Sequence, residues 1–344
     1  MASQSAARRK ITRLLLALLL VFAAIVFWAV RRIQTPQKPD SIARGDYSYS
    51  IEYAEARIAR LMKSKHLPSV AVTLIDDQDI IWQETFGTAN LEENTPAESN
   101  TVYKLWSVAK VFTAIEIMRL VEEGAVDLDA PITDYIPDFS IQSRFADPGQ
   151  VTIRSLLTHR SGLPRQGCQW VDFSPDALPA LVASLEDCHL AYPPHYRFKY
   201  SNIGIDTLGL VIEELRGTLF PIYMRESLLV PIGMNDSAFL RSQIPAQRHP
   251  APGYEYYDGE YYPYEQNDIA NMPSGNLYST IEDMGKFVKF IFRDGKANGE
   301  QIIHPETLEA MYMAQTTSAR DPQPMGLGWK IAQVFGSERM VWHE

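Results

Sequence analysis

The stretch YKLWSVAKVFTAIEIMRLV, residues 103–121, sets Lys110 one helical turn after Ser107 in an otherwise apolar run. Residues three apart on a helix share a face, so the lysine can reach the serine hydroxyl. A protonated amine in an apolar helix is costly, and desolvation lowers its pKa toward neutrality. A serine beside such an amine is an activated nucleophile, able to take the acyl group of an ester or amide. The ordinary alternative is that Lys110 snorkels to the surface and Ser107 caps the helix. A chain of 344 residues holds about one S-x-x-K by chance, so the pair alone decides little.

Other hydrolytic chemistries find less support. No G-x-S-x-G elbow occurs, since Ser161 lies in HRSGL and Ser274 in MPSGN. The seven histidines include no H-E-x-x-H pair, and His189 and His195 in HLAYPPH have the wrong spacing for a zinc helix. His159 in LLTHRSG is expected to be a hydrogen-bonded structural histidine. No metal or organic cofactor is called for. Residues 1–38 carry seven Lys or Arg and no acid, while the whole chain stands at −10, which leaves −17 on residues 39–344. So acidic a body excludes a phosphate-binding surface and with it nucleic acid as a partner.

The helix that carries Ser107 shows almost no polar face before Arg119 and Glu122, and Gly124 ends it, so it should be central and enclosed. Upstream, Ile51, Ala54, Ile58, Leu61 and Met62 recur at helical spacing between Tyr47 and His66, and Pro68 stops the pattern. SVAVTLIDDQDIIWQETFG then reads as a hairpin turning at Asp76–Asp79. Residues 125–240 read as helices and loops. GYEYYDGEYYPY, with Asp258-Gly259 at its turn, reads as a surface hairpin, its tyrosines lining a substrate mouth in the less favoured reading. STIEDMGKFVKFIF opens with a capping pattern and is an amphipathic helix. GLGWKIAQVFGSERMVWHE returns to strand-like runs. Strands, then helices, then strands imply an α+β fold: one antiparallel sheet built from both ends of the domain, with a helical insertion.

Before the domain, LLLALLLVFAAIVFWAV, residues 14–30, is flanked by Arg8, Arg9, Lys10 and Arg13 on one side and Arg31 and Arg32 on the other. Its 17 residues reach roughly 26 Å, near the lower limit for crossing a bilayer, and no A-x-A cleavage site follows. The organisation expected is a basic cytoplasmic tail at 1–10, a transmembrane helix at 11–32, a linker at 33–46 and a folded domain at 47–344. The charge bias across the span places that domain outside the cytoplasm, at the cell membrane. Cys168 and Cys188 could pair there, or remain two thiols.

Downstream of S-x-x-K stand Tyr200 and Asn202 in RFKYSN and His343 in VWHE, in order with LLTHRSGLP and LYSTIEDM. Together they resemble the serine β-lactamase and D,D-peptidase superfamily, and its class C-like branch with esterases and D-aminopeptidases in particular. The resemblance runs from about Ile51 to the last residue. It implies that Ser107 is the acylated nucleophile and that Lys110 shares in its proton transfer. Tyr200 would then be the base or acid that relays the proton, with its pKa lowered by the lysine, and which of the two holds the proton stays open. Asn202 would hydrogen-bond Lys110 and the substrate amide, and His343 would position substrate. The substrate would be a D-amino-acid peptide, an ester or a β-lactam; the alternative is a penicillin-binding sensor or an inert binding protein using the same pocket. The family's third motif requires a glycine after Glu344 and further strands, so the domain reads as C-terminally incomplete. One missing oxyanion donor is worth roughly 3 to 4 kcal/mol of barrier, and a poorly active or unstable 344-residue form is the expectation.

Overall fold

The computed structural model describes residues 36–315, 324–334 and 338–344, in two compact units, one ending at Val70 and one running from Ala71 to Glu344. The transmembrane helix expected at 11–32 and its basic flank lie outside the described residues. Among the described residues, no helix is long and apolar enough to cross a membrane.

In the first unit, α1 (Ser48–Lys65) ends where His66 turns left-handed. Ile51, Ala54, Ile58, Leu61 and Met62 are half-buried along it while Glu52, Glu55 and Arg60 are exposed, as the spacing predicts, though none is fully buried.

The second unit is organised around the Ser107 helix. After β1 (Ser69–Asp76), β2 (Asp79–Asn90), β3 (Thr95–Pro96) and β4 (Tyr103–Lys104), a 3-10 turn at Trp106–Val108 leads into α2 (Ala109–Glu122). Eleven of its 14 residues are buried, so it is enclosed as expected. Phe112, Ile115 and Leu120 are fully covered, and Phe112 packs on Phe287 at 4.5 Å between ring centroids. Each such side chain contributes about 1.5 to 3 kcal/mol by leaving water. Near the C-terminal end Glu116 is buried too, and its carboxyl pKa is pushed up by that burial against the pull of Arg119. Arg119 at 2.5 Å and the Tyr223 hydroxyl at 2.6 Å satisfy it, which pins α2 to its neighbours.

Helices α3 (Ile153–Leu157), α4 (Leu178–Ala183), α5 (Asn202–Arg216) and α6 (Phe220–Met224) follow. α5 starts where the Ser201 hydroxyl accepts the Gly204 N–H and ends at left-handed Gly217. The tyrosine-rich hairpin is β5 (Gly253–Tyr257) and β6 (Glu260–Tyr264), turning at Asp258 and Gly259, both with positive φ. A one-turn helix, α7 (Met272–Gly275), leads to β7 (Tyr278–Ser279), which pairs with β4. Its seat on α5 depends on Gly209, because a Cβ there would collide with the Pro273 ring. α8 (Ile281–Phe292) is capped by Thr280, as STIED predicts. It is followed by β8 (Lys296–Ala297), β9 (Glu300–Gln301), α9 (Pro305–Tyr312), β10 (Lys330–Val334) and β11 (Glu338–Trp342).

The α+β character stands, but the sheet differs from expectation. Among the described residues β1, β2 and β3 form one sheet and β10 and β11 pair separately, rather than joining from both ends. The segment leading into the C-terminal strands is held against the helices instead: Leu327 and Trp329 bury in the main core, Val341 of β11 packs against it, and the Gly328 N–H donates to Leu157 O at 3.2 Å. Gly328 has φ of 80°, and a Cβ there would strike Ala114 of α2. Periodicity shows which residues are extended, not which edges meet.

Cys168 and Cys188 are joined by a disulfide, 20 residues apart, which resolves the open pairing. Reduction, or paired Cys→Ser replacement, is expected to cost about 3 kcal/mol of stability through the freed loop. A melting temperature unchanged by reductant, with both thiols shown free, contradicts this.

Candidate active site

β4 and the 3-10 turn set Ser107. Pairing of Tyr103 with Ser279 and the Leu105 N–H bond to Leu277 O at 2.7 Å fix the chain just before Ser107. Lys110 does not snorkel. It is 1% exposed, with Nζ 3.1 Å from Ser107 Oγ and 2.6 Å from the Ser274 carbonyl. From 93 residues away, the Tyr200 hydroxyl donates to the same Ser107 Oγ at 3.0 Å. Lys110 Nζ lies 5.0 Å from the Tyr200 ring centre. The serine, the amine and the phenol thus share one hydrogen-bonded cluster.

A family model described as Beta-lactamase matches residues 54–344. The chain belongs to the Beta-lactamase family. It is 28% identical over 284 residues to Beta-lactamase-like protein 2 of Dictyostelium discoideum, covering 78% of this chain and 51% of that one. To the Unguisins hydrolase ungD' of Aspergillus campestris it is 27% identical over 311 residues, 85% of this chain and 56% of that one. The chain therefore spans about half the length of these curated relatives. Among solved structures, the octameric penicillin-binding protein homologue from Pyrococcus abyssi superposes with a TM-score of 0.73 at 29% identity, over 85% of this chain and 67% of that one. The α+β fold is therefore that of the serine β-lactamases and transpeptidases.

In this Beta-lactamase-family site the phenol is held by His159, the histidine expected to be structural. Its Nδ1 accepts the Ser201 N–H at 3.3 Å, and its ring lies 4.4 Å from the Tyr200 ring. Complete burial drives its pKa well below the usual histidine value, so it stays neutral. Arg165 stands on the other side, its guanidinium 5.8 Å from the Tyr200 ring and its carbonyl accepting the Asn202 N–H at 2.8 Å.

Burial lowers the Lys110 pKa to about 8; Asp206 opposes that shift and Arg165 adds to it. For Tyr200 the expected lowering does not occur. Burial raises its pKa, outweighing the Ser107 hydrogen bond and the Arg165 charge, so the phenol keeps its proton. Of the two, the lysine is the group able to give up its proton near physiological pH.

Asn202 departs from expectation. Lys110 spends its hydrogen bonds on Ser107 and Ser274, and the buried Asn202 Oδ1 has no partner among the described residues. His343 comes close enough to feel the Lys110 charge; burial first and that charge second lower its pKa to about 4. Its Nδ1 lies 3.0 Å from the Glu344 carbonyl oxygen.

Asp206 and Ser274 were not anticipated. Asp206 is fully buried on α5, accepting the Ser274 N–H at 3.0 Å and the Asn271 amide at 2.6 Å. Burial raises its pKa to about 6 against those hydrogen bonds and the Lys110 charge. It thereby fixes the turn whose carbonyl holds Lys110. A signal was present: one acid inside the apolar run NIGIDTLGLVI, the mirror of the lysine in α2. Asp206→Asn removes the charge that favours protonated Lys110, so the alkaline-rising limb of the rate should move to lower pH by about one unit. A limb that stays in place rules out this electrostatic link.

Proposed function

We propose that this chain is a serine hydrolase acting on a small ester or amide through an acyl-Ser107 intermediate. The observation that carries the reading is Ser107 Oγ lying 3.1 Å from Lys110 Nζ and 3.0 Å from the Tyr200 hydroxyl. Neutral Lys110 accepts the Ser107 proton as Oγ bonds to the substrate carbonyl carbon. The developing oxyanion lies at the N-terminal end of α2, where the helix dipole favours negative charge. Tyr200 gives its proton to the leaving group as the carbon–leaving-group bond breaks, and is reprotonated from the Lys110 ammonium. Water, deprotonated by the same pair, then attacks the acyl carbon and frees Ser107.

The unpartnered Asn202 Oδ1 supports an acceptor role toward a substrate N–H, and His343 a place beside the substrate. Within this reading a D-amino-acid peptide, an ester or a β-lactam is the substrate class. The apolar run at residues 14–30 and the Cys168–Cys188 disulfide support a domain tethered to the membrane on its oxidising, extracytoplasmic side. The test is labelling with a fluorescent β-lactam or fluorophosphonate, beside turnover of an activated ester. Label at Ser107 with turnover is expected. A stable adduct without turnover makes the protein a sensor, and absence of any adduct overturns the acyl-serine reading.

A further inference from the structure

Trp106, the residue before Ser107, has a φ of 47° and a side chain 46% exposed. The left-handed region is strained for a bulky residue, and an exposed indole recovers little of that cost through burial. Such strain persists only where the surroundings impose it, and here they do. The Leu105 N–H bond to Leu277 O fixes the chain before Trp106, and buried α2 fixes it after.

One face of the indole is already covered. Lys104 Nζ lies 4.4 Å from the ring centre and is itself anchored by a 2.7 Å hydrogen bond to Asn267 O. Beside the ring stands Gly275, the residue after the carbonyl that holds Lys110. A Cβ on Gly275 would lie 4.0 Å from Trp106 Cε3 and 3.4 Å from Ile269 Cδ1, so the indole and Ile269 flank the same point. Ile269 in turn lines a cavity of about 440 Å³ together with Trp170, Val171, Phe173, Leu181 and Asn271. An apolar surface therefore runs from the nucleophile's neighbour to a largely apolar cavity. The charges around it are mixed, Asp268 on the cavity wall and the cations Lys104, Lys110 and Arg165 nearby, so neither sign of charged occupant is favoured.

We propose that Trp106, with Ile269 beside it, forms the acyl-group subsite of Ser107 and selects esters and amides whose acyl group is an uncharged aromatic or branched aliphatic chain. The inference rests on the acyl-serine reading and specifies its substrate. The ring offers the acyl chain contact without passing through the core, and the strained backbone keeps the indole from swinging onto the serine.

The test compares p-nitrophenyl phenylacetate with p-nitrophenyl acetate, which share a leaving group and differ only in the acyl chain. In Trp106→Gly, where glycine tolerates the positive φ, kcat/KM for the phenylacetate should fall about tenfold or more. The acetate should change by less than about threefold. Ile269→Ala should shift the same ratio in the same direction, and Trp106→Phe, which keeps a ring, should retain most of the preference. Equal losses on both esters in Trp106→Gly mean that the indole only aims Ser107, and the subsite is wrong. A ratio unchanged in both Trp106→Gly and Ile269→Ala is equally fatal. If the unaltered protein cleaves neither ester, the hydrolase reading itself fails and takes the subsite with it.

Discussion

Ser107→Ala is expected to lower kcat for an activated ester by about 10⁴- to 10⁶-fold and to abolish covalent labelling. The size follows from the proposed reaction, in which the hydroxyl oxygen forms the new bond, and from the geometry, in which it is the shared acceptor of Lys110 and Tyr200. Residual catalysis has to come from binding and backbone donors alone. Folding should be little affected. Lys110 loses its bond to Ser107 but keeps the 2.6 Å bond to Ser274 O, and the Tyr200 hydroxyl loses its partner, a cost of about 1 kcal/mol for each lost bond. The measurement pairs single-turnover p-nitrophenol release with thermal melting. A variant that melts like the parent and still cleaves the ester at a comparable rate shows that another nucleophile is at work.

The second large effect belongs to Lys110. Lys110→Met keeps the length and packing of the side chain but removes the amine, and should cost about 10²- to 10⁴-fold in kcat. In the proposed reaction the active form has Lys110 neutral. With its pKa held near about 8, kcat/KM should climb about tenfold per pH unit up to that point and level off above it. The sign follows from burial, which disfavours the ammonium; a lysine left in water would put the bend above pH 10. The groups that set the position are Asp206, which pulls it up, and Arg165, which pulls it down. His343 answers to the Lys110 charge in turn. The limb should vanish in Lys110→Met. A limb that survives there assigns the titration to a different group.

Much of this site was legible in the sequence because its reacting groups are chemically out of place. Lys110 announces itself by interrupting an apolar helix, and Tyr200 by its spacing to Asn202 within an ordered set of motifs. The hairpins at Asp77 and Asp258 and the cap at Thr280 were equally readable, since turns and caps are local chemistry. What escaped was non-local. Ser274 acts through its carbonyl, which every residue possesses, so no side-chain pattern could mark it. Asp206 was visible as an acid in an apolar run, but a buried lysine needs a counter-charge from somewhere, and only packing shows that α5 supplies it. The direction of the Tyr200 shift also depended on depth of burial, which a motif does not encode. Strand pairing failed for a related reason: extended runs at the two ends of the chain were evident, but the segment leading into the C-terminal strands is held by Leu327 and Trp329 in the helical core.

The two anchors of Ser107 and Lys110 lie far apart along the chain: Tyr200 stands 93 positions from the serine and Ser274 stands 164 from the lysine. No short segment can assemble that arrangement, so an unfolded or misassembled polypeptide presents only an ordinary, unreactive hydroxyl. In the acyl-serine reading, adduct formation at Ser107 is thus a census of native molecules, and a dye-tagged acylating reagent would gauge the quality of a preparation without any knowledge of the natural substrate.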